Sequence, residues 1–363
     1  MGWKYIQLLF AGAFLLAACS GPEKPVTKDD AITFAKEIES SVKKGDPVIL
    51  DNAIDKKEFT IRMDLPNTND AREFGKGVLQ TMKLGTQMTT QLSDADTYNF
   101  IKYYVSNGKH HIVFRALSNK DEGLNYQDYE LIMRGNKCMV ADAYMYSTAE
   151  NLSETVRTMY NMLYGSQQKN KIDMNHEDQL GDLKKINDIK ELYQKGRSAE
   201  AKQVYLSLPD NIKRTKLLCL LNVYVSAHLS ADDYNVAVKE FERYFPNEPN
   251  LNLIKINGYY LQKDYAKMLE AVNALDAQIN KDPLLDYQRY LSYDLMEQKD
   301  SSRICLQRLI HNMPDFQKGF IELIAVDLKN GYQQEADSVI ALYRKKTKFD
   351  QERLDKVMGY YKK

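Results

Sequence analysis

The side chains best placed for acid–base chemistry are Asp128, Glu130 and Asp142, with His111 and Arg115 in the same strand-rich stretch. Carboxylates held on a sheet beside a pocket can take raised pKa values, which suits general acid–base work. Asp128, Asp142 and His111 are therefore the candidate catalytic residues. The competing expectation is that Asp128 and Glu130 are solvated and that Asp142 is hydrogen-bonded at a strand end. His110 and His111 are adjacent, so a strand turns them to opposite faces and they cannot chelate one metal together. His176, His228 and His311 are widely separated, with no partner at metal-ligand spacing. There is no Gly-Lys-Ser/Thr phosphate loop, no Gly-x-Ser-x-Gly elbow and no His-Glu-x-x-His. No metal or cofactor is expected.

The elements that must position these residues are two hairpins. Thr97 to Val105 and His110 to Leu117 meet across Asn107-Gly108, a strong two-residue turn signal. That register sets Val105 against His110, Tyr103 against Ile112 and Ile101 against Phe114. The second hairpin pairs Tyr126 to Arg134 with Lys137 to Tyr146 through Gly135-Asn136. It sets Met133, Leu131 and Tyr129 against Cys138, Val140 and Asp142. Before the strands, Thr27 and the acidic pair Asp29-Asp30 start a helix that Gly45-Asp46-Pro47 stops. A second helix is expected from Asp70 to Leu92, with Gly75, Gly77 and Gly85 allowing close approach to the sheet. Ser147 to Glu150 reads as a capping box for a closing helix that ends near Tyr164. Helices, four antiparallel strands and a last helix make an α+β domain over residues 28–164.

Residues 165–182 are polar and weakly periodic, and read as a linker. From residue 183 to 363 the apolar pattern becomes helical and repeats about five times with a period near 34 residues. Turns at Lys195-Gly196-Arg197, Asp233-Tyr234, Asp264-Tyr265, Lys299-Asp300 and Asn330-Gly331-Tyr332 mark the units. Each unit is too small to bury its own apolar face and must stack on its neighbours. In Asp233-Tyr234, Ala237, Phe241 and Pro249, and in Tyr259 with Asp264-Tyr265, the chain resembles the tetratricopeptide-repeat (TPR) family. The family's Trp is missing, and Arg308 stands where an aromatic is expected. The resemblance implies a helical array that presents a surface to a partner protein or peptide.

At the amino end, Lys4, the apolar run Ile6 to Leu16 and Ala17-Ala18 have the proportions of a signal peptide over residues 1–18. The run is too short for a membrane span of about 20 residues. Leu16-Ala17-Ala18-Cys19 resembles the lipobox of bacterial lipoproteins, which implies that Cys19 carries the lipid anchor. Residues 19–27, with two prolines and a glycine, read as a tether. Ser20 after the acylated cysteine resembles lipoproteins sent to an outer membrane. The α+β layout resembles NTF2-like or cystatin-like folds. Gly123 to Leu131 and Ala141 to Ser147, with the TPR-like tail, resemble uncharacterised lipoproteins of Bacteroidetes-type bacteria.

Composition agrees with a globular body on an anchor: 44% hydrophobic, 28% charged, and 50 basic against 50 acidic residues. Such a balance provides no field to draw nucleic acid. Beyond Cys19, the cysteines are Cys138, Cys219 and Cys305, an odd and scattered set that argues against a disulfide framework. The expectation is an envelope lipoprotein that binds a partner protein or peptide through its repeats and has no catalysis of its own. Two alternatives are an enzyme or small-ligand binder using a pocket of the α+β domain, and a glycan-binding uptake lipoprotein relying on some of its 25 tyrosines.

Overall fold

The computed structural model describes residues 24–92, 97–117, 123–168, 176–279, 281–346 and 349–361. The signal segment, Cys19, the first part of the tether and residues 169–175 of the expected linker lie outside the described residues.

Helix α1 (Lys28–Lys43) begins with a reciprocal cap: Thr27 Oγ1 accepts from Asp30 N at 3.1 Å, and Asp30 accepts from Thr27 N at 3.2 Å. Two short helices follow, α2 (Val48–Asp51) and α3 (Lys56–Met63). The single helix expected from Asp70 to Leu92 is instead broken into α4 (Asn69–Thr81) and α5 (Leu84–Gln91). The break has a contact behind it: a Cβ at Gly85 would lie 2.1 Å from the Pro47 carbonyl oxygen, so α5 packs backbone to backbone on α2. Asp51 then caps α5 from across the gap, accepting from Thr86 N at 3.0 Å and Thr86 Oγ1 at 2.8 Å. Of the three glycines expected to approach the sheet, Gly85 instead meets the start of α2, Gly75 faces the Leu65 and Met63 side chains, and Gly77 has nothing within 4 Å of a Cβ.

The strands β1 (Thr97–Ser106), β2 (Lys109–Leu117), β3 (Leu124–Arg134), β4 (Lys137–Met145) and β5 (Glu150–Asn151) form an antiparallel meander in that order. Asn107 and Gly108 both take positive φ at the first turn, as a two-residue hairpin requires. Tyr103 pairs with Ile112 as the alternation predicts, but a bulge at Ile101 brings Phe100 opposite Phe114. A second irregularity between Glu130 and Leu131 sets Asp142 opposite Glu130 and Ala143 opposite Tyr129, one residue off the expected register. The fifth strand was not anticipated. Instead of capping a helix, Ser147 lies in a turn, β5 pairs with Tyr144 and Met145, and α6 (Leu152–Gln168) starts later.

The sheet buries both faces. Ile112, Phe114, Tyr129, Leu131 and Val140 pack under α1, α2 and α5. On the other face, one part lies under α3 and α6, where Arg62 forks onto Glu130 at 2.6 and 2.8 Å. The rest is covered by the helical region. There, successive pairs stack: α7 (His176–Gln194) with α8 (Ser198–Leu206), α10 (Lys216–Ala227) with α11 (Ala231–Tyr244), α12 (Leu251–Leu261) with α13 (Tyr265–Gln278), α14 (Leu285–Leu295) with α15 (Lys299–Asn312), and α16 (Gln317–Lys329) with α17 (Gln333–Tyr343). The short α9 (Asp210–Lys213) and the terminal α18 (Gln351–Tyr361) complete it. The stretch expected as linker is helical at both ends, and the boundary expected at residue 182 falls inside α7. At Arg308 an ion network replaces the expected ring: Arg308 grips Asp286 at 2.7 and 3.0 Å, and Arg289 bridges Asp286 and Asp276.

Val113, Leu117, Leu124, Tyr126 and Tyr146 of the sheet belong to the same hydrophobic core as Leu253, Met268, Leu285 and Phe320 of the helical region. The two parts are thus joined by packing as well as by chain. The loops between pairs meet the sheet: Tyr144 donates to Glu248 at 2.8 Å, Asn250 Nδ2 to the Tyr146 carbonyl at 2.9 Å, and Tyr126 to Asp282 at 2.7 Å.

Candidate functional site

His111 and Asp128 come together on the face of the sheet that turns toward the helical region. His111 Nδ1 lies 2.9 Å from Asp128 Oδ1, the Tyr104 hydroxyl donates to Asp128 Oδ2, and the rings of Tyr104 and His111 stack at 4.7 Å. Lys102 sits over the Tyr104 ring at 4.6 Å. Burial pushes its ammonium pKa down, against the pull of Asp128. Both Asp128 oxygens are thus occupied. No hydroxyl or thiol nucleophile meets the His111 ring among the described residues, and neither His111 nor Asp128 lines the groove of the helical region or the cavity between α5 and the sheet.

Asp142 does not join them. It is buried, accepts from Ala143 N at 2.8 Å, Ser153 N at 3.2 Å and the Ser153 hydroxyl, and holds the first turn of α6. Burial pushes its carboxyl pKa up, while the bonds from Ser153 and Ala143 pull it down. Glu130 is gripped by Arg62 and Lys109, which outweigh burial and hold its pKa low. Arg115 is committed elsewhere: its guanidinium pairs with buried Asp282, and Nη2 donates to Asn99 at 2.9 Å. No group of three or more His, Cys, Asp or Glu among the described residues could hold a metal ion.

A groove of about 380 Å³ crosses α10, α12, α14 and the start of α16, closed at one side by Leu117 and Gly123 at the sheet. Tyr193, Tyr224, Tyr234, Tyr260, Tyr287 and Phe316 line it, with His228, Asn257, Gln288 and Lys318 as polar points. Local rules explain how it opens. A Cβ at Gly258 would lie 1.9 Å from Tyr234 Cζ, so only glycine leaves room for that ring against the α12 backbone. Tyr259 and Tyr260 are successive helix positions and diverge. Tyr259 packs edge-on against Tyr234, whereas Tyr260 stays 47% exposed beside Leu261 at 43%. Large, half-exposed aromatics on a rigid scaffold are the usual anchors of recognition surfaces. Lys318 lies 4.9 Å from the centre of the Tyr287 ring, a cation–π contact at the groove wall.

Of this site, only the abundance of tyrosine and the Tyr259-Tyr260 pair stand out in the sequence. A finer signal was available. Tyr193, Ala227 and Leu261 follow one another at 34 residues, as do Val223, Asn257 and Leu291, and all six line the groove. Positions that recur at the repeat period fall at equivalent places on successive helices, so they form one continuous stripe. Comparison with family models, curated proteins and solved structures found no match.

Proposed function

We propose that this chain is a lipid-anchored binding or assembly module of the cell envelope, whose TPR-type array holds an extended segment of a partner protein in the aromatic groove. The observation that carries this reading is the groove itself: an aromatic-lined channel crossing successive first helices of the stacked pairs, with Tyr260 and Leu261 left exposed in it. Burying half-exposed side chains of this kind supplies affinity at low entropic cost, because a tyrosine has few rotors to freeze. The anchor rests on the lipobox-like Leu16-Ala17-Ala18-Cys19 that follows Lys4 and the apolar run Ile6 to Leu16; the NTF2-like or cystatin-like and TPR-like resemblances bear on the folds of the two halves. An outer-membrane location follows from Ser20 by the same reasoning. No helix among the described residues is long and apolar enough to cross a membrane, and acyl chains at Cys19 would provide attachment instead.

Because the array shares a core with the sheet, the full chain is the proper bait. A photo-crosslinking residue at position 260 should capture a discrete envelope protein in cells, and one at the outward-facing position 236 should not. Equal adducts from both positions, or none from position 260, would refute the groove as the docking site. Incorporation of labelled palmitate that survives Cys19→Ser would refute the anchor.

A further inference from the structure

A second cavity, of about 300 Å³, lies between α5 and the sheet and plays no part in the groove. One wall is apolar, with Leu84, Met88 and Leu92 from the α5 side. The opposite wall is β3, where Asn125, Gln127 and Tyr129 alternate along the strand and so share a face. None of the described residues that line it is charged.

Its polar wall is under-bonded. Gln127 is 1% exposed, and its Oε1 accepts from the hydroxyls of Tyr129 at 2.6 Å and Tyr98 at 3.0 Å. Those two donors fix the orientation of the amide and turn Nε2 toward α5. There its partner is the Met88 thioether, 3.1 Å away. Thioether sulfur is a weak acceptor, and a primary amide has two N–H groups to place. At least one buried donor is therefore left without an oxygen acceptor among the described residues. Two positions along the strand, Asn125 Oδ1 is also buried and has no hydrogen-bond partner among the described residues. Native structures seldom leave two neighbouring amides in this state, since each unmet donor or acceptor is destabilising once water is excluded.

We propose that this cavity is a binding site for a small neutral ligand that carries an amide-type edge, with a carbonyl acceptor beside an N–H donor, as in a lactam or a nucleobase-like ring. The ligand carbonyl takes the free N–H of Gln127. Its N–H meets Asn125, whose terminal amide presents either end by rotation about one bond. The apolar face of the ring lies on Met88 and Leu92. A carboxylate or an ammonium is disfavoured, because no counter-charge lines the wall among the described residues and its desolvation goes uncompensated. The volume is at the small end of the roughly 300–1,000 Å³ typical of ligand sites, which favours a single ring. This inference does not depend on the groove.

Ligand-observed NMR on the full chain tests it, with uracil, 2-piperidone and nicotinamide as neutral amides. Orotate serves as the charged counterpart of uracil, and 1,3-dimethyluracil as the counterpart without donors. At least one neutral amide should bind, with orotate silent and 1,3-dimethyluracil weaker than uracil if uracil is the binder. Asn125→Leu should weaken binding about tenfold, the equivalent of one lost hydrogen bond. Ala116→Leu, which fills the cavity, should abolish binding. Thermal denaturation reports whether each variant is folded, and Asn125→Leu stands as the test if the filled variant is not. Silence from all three amides overturns the proposal. So does equal binding of orotate and uracil, or binding that folded Asn125→Leu and Ala116→Leu leave unchanged.

Discussion

Removing the Asp282 carboxylate should unfasten the sheet from the helical region. Arg115 and Asp282 pair where their side chains are 3% and 0% exposed, so neither charge has water to fall back on. Asp282 also accepts from the Tyr126 hydroxyl at 2.7 Å and from Leu284 N at 3.0 Å. Truncating one member of a buried ion pair costs about 3–5 kcal/mol, because the other charge stays buried and uncompensated. The Tyr126 hydroxyl loses its acceptor too, and an unmet buried hydroxyl costs about 1–3 kcal/mol. These effects share partners and do not add in full. Asp282→Ala should therefore lose at least about 3 kcal/mol, a large part of a typical stability of about 5–15 kcal/mol. Replacing both charges with apolar side chains, as in Arg115→Met with Asp282→Leu, removes the stranded guanidinium. It should recover much of that loss, leaving mainly the cost of the Tyr126 hydroxyl. Urea denaturation of the full chain, followed by circular dichroism, measures the cycle. In Asp282→Ala the transition should also split in two, as the sheet and the helices lose the core they share. A loss under about 1 kcal/mol with additive single variants would mean that Arg115 is not buried against Asp282 in solution. The shared core would then be wrong.

Other consequences are simpler to state. Gly258→Ala should destabilise the chain by about 1–3 kcal/mol in urea melts, since the new methyl must displace the Tyr234 ring. It should also weaken crosslinking from position 260, because Tyr234 lines the same groove. Burial pushes the thiols of Cys138 and Cys219 up to about 12 and raises that of Cys305. Pulse alkylation at mildly alkaline pH, read by mass spectrometry, should leave all three unmodified in the native protein and label them in urea. Asp142 provides a pH dependence whose sign follows from burial. Its folded carboxyl holds a proton more tightly than the unfolded one, whose ordinary value is 3.8. The stability it contributes is therefore complete below that value and is lost as pH rises through the raised folded value. Asp142→Asn should flatten this part of a stability–pH profile. Glu150 and Asp327, raised by burial, contribute slope of the same sign, whereas Glu130 and Asp55, held low by their arginine partners, contribute the opposite sign.

Much of the local architecture was legible in the residues. The Thr27 cap, the turn at Asn107-Gly108 and the turns at Lys195-Gly196-Arg197 and Asn330-Gly331 are each decided within a few neighbouring positions. The errors fall where a distant contact overrode a local preference. The helix expected through Met82 breaks because α5 must seat Gly85 on Pro47, which a helical periodicity cannot reveal. Register slips at Ile101 and Leu131 come from bulges, and a single extra residue leaves the apolar alternation of each flanking half intact. The candidate residues show the same division. Asp128 and His111 stand out in the sequence as candidates on separate hairpins, yet only the fold pairs β2 with β3, brings the two together and shows Tyr104 taking the second oxygen. Asp142 was grouped with them by chemical type, but an irregular register and α6 turn it to Ser153.

The order of sheet then helices and the repeat period are written in the residues themselves, because periodicity and turn chemistry are properties of short windows. That the two halves share one core, that Arg115 meets Asp282 across 167 positions of chain, and that tyrosines from separate pairs line one groove emerge only when the elements pack. Those outcomes depend on which surfaces are left unburied once each element has formed. They are settled by shape and desolvation between residues far apart in the chain, which no local pattern records.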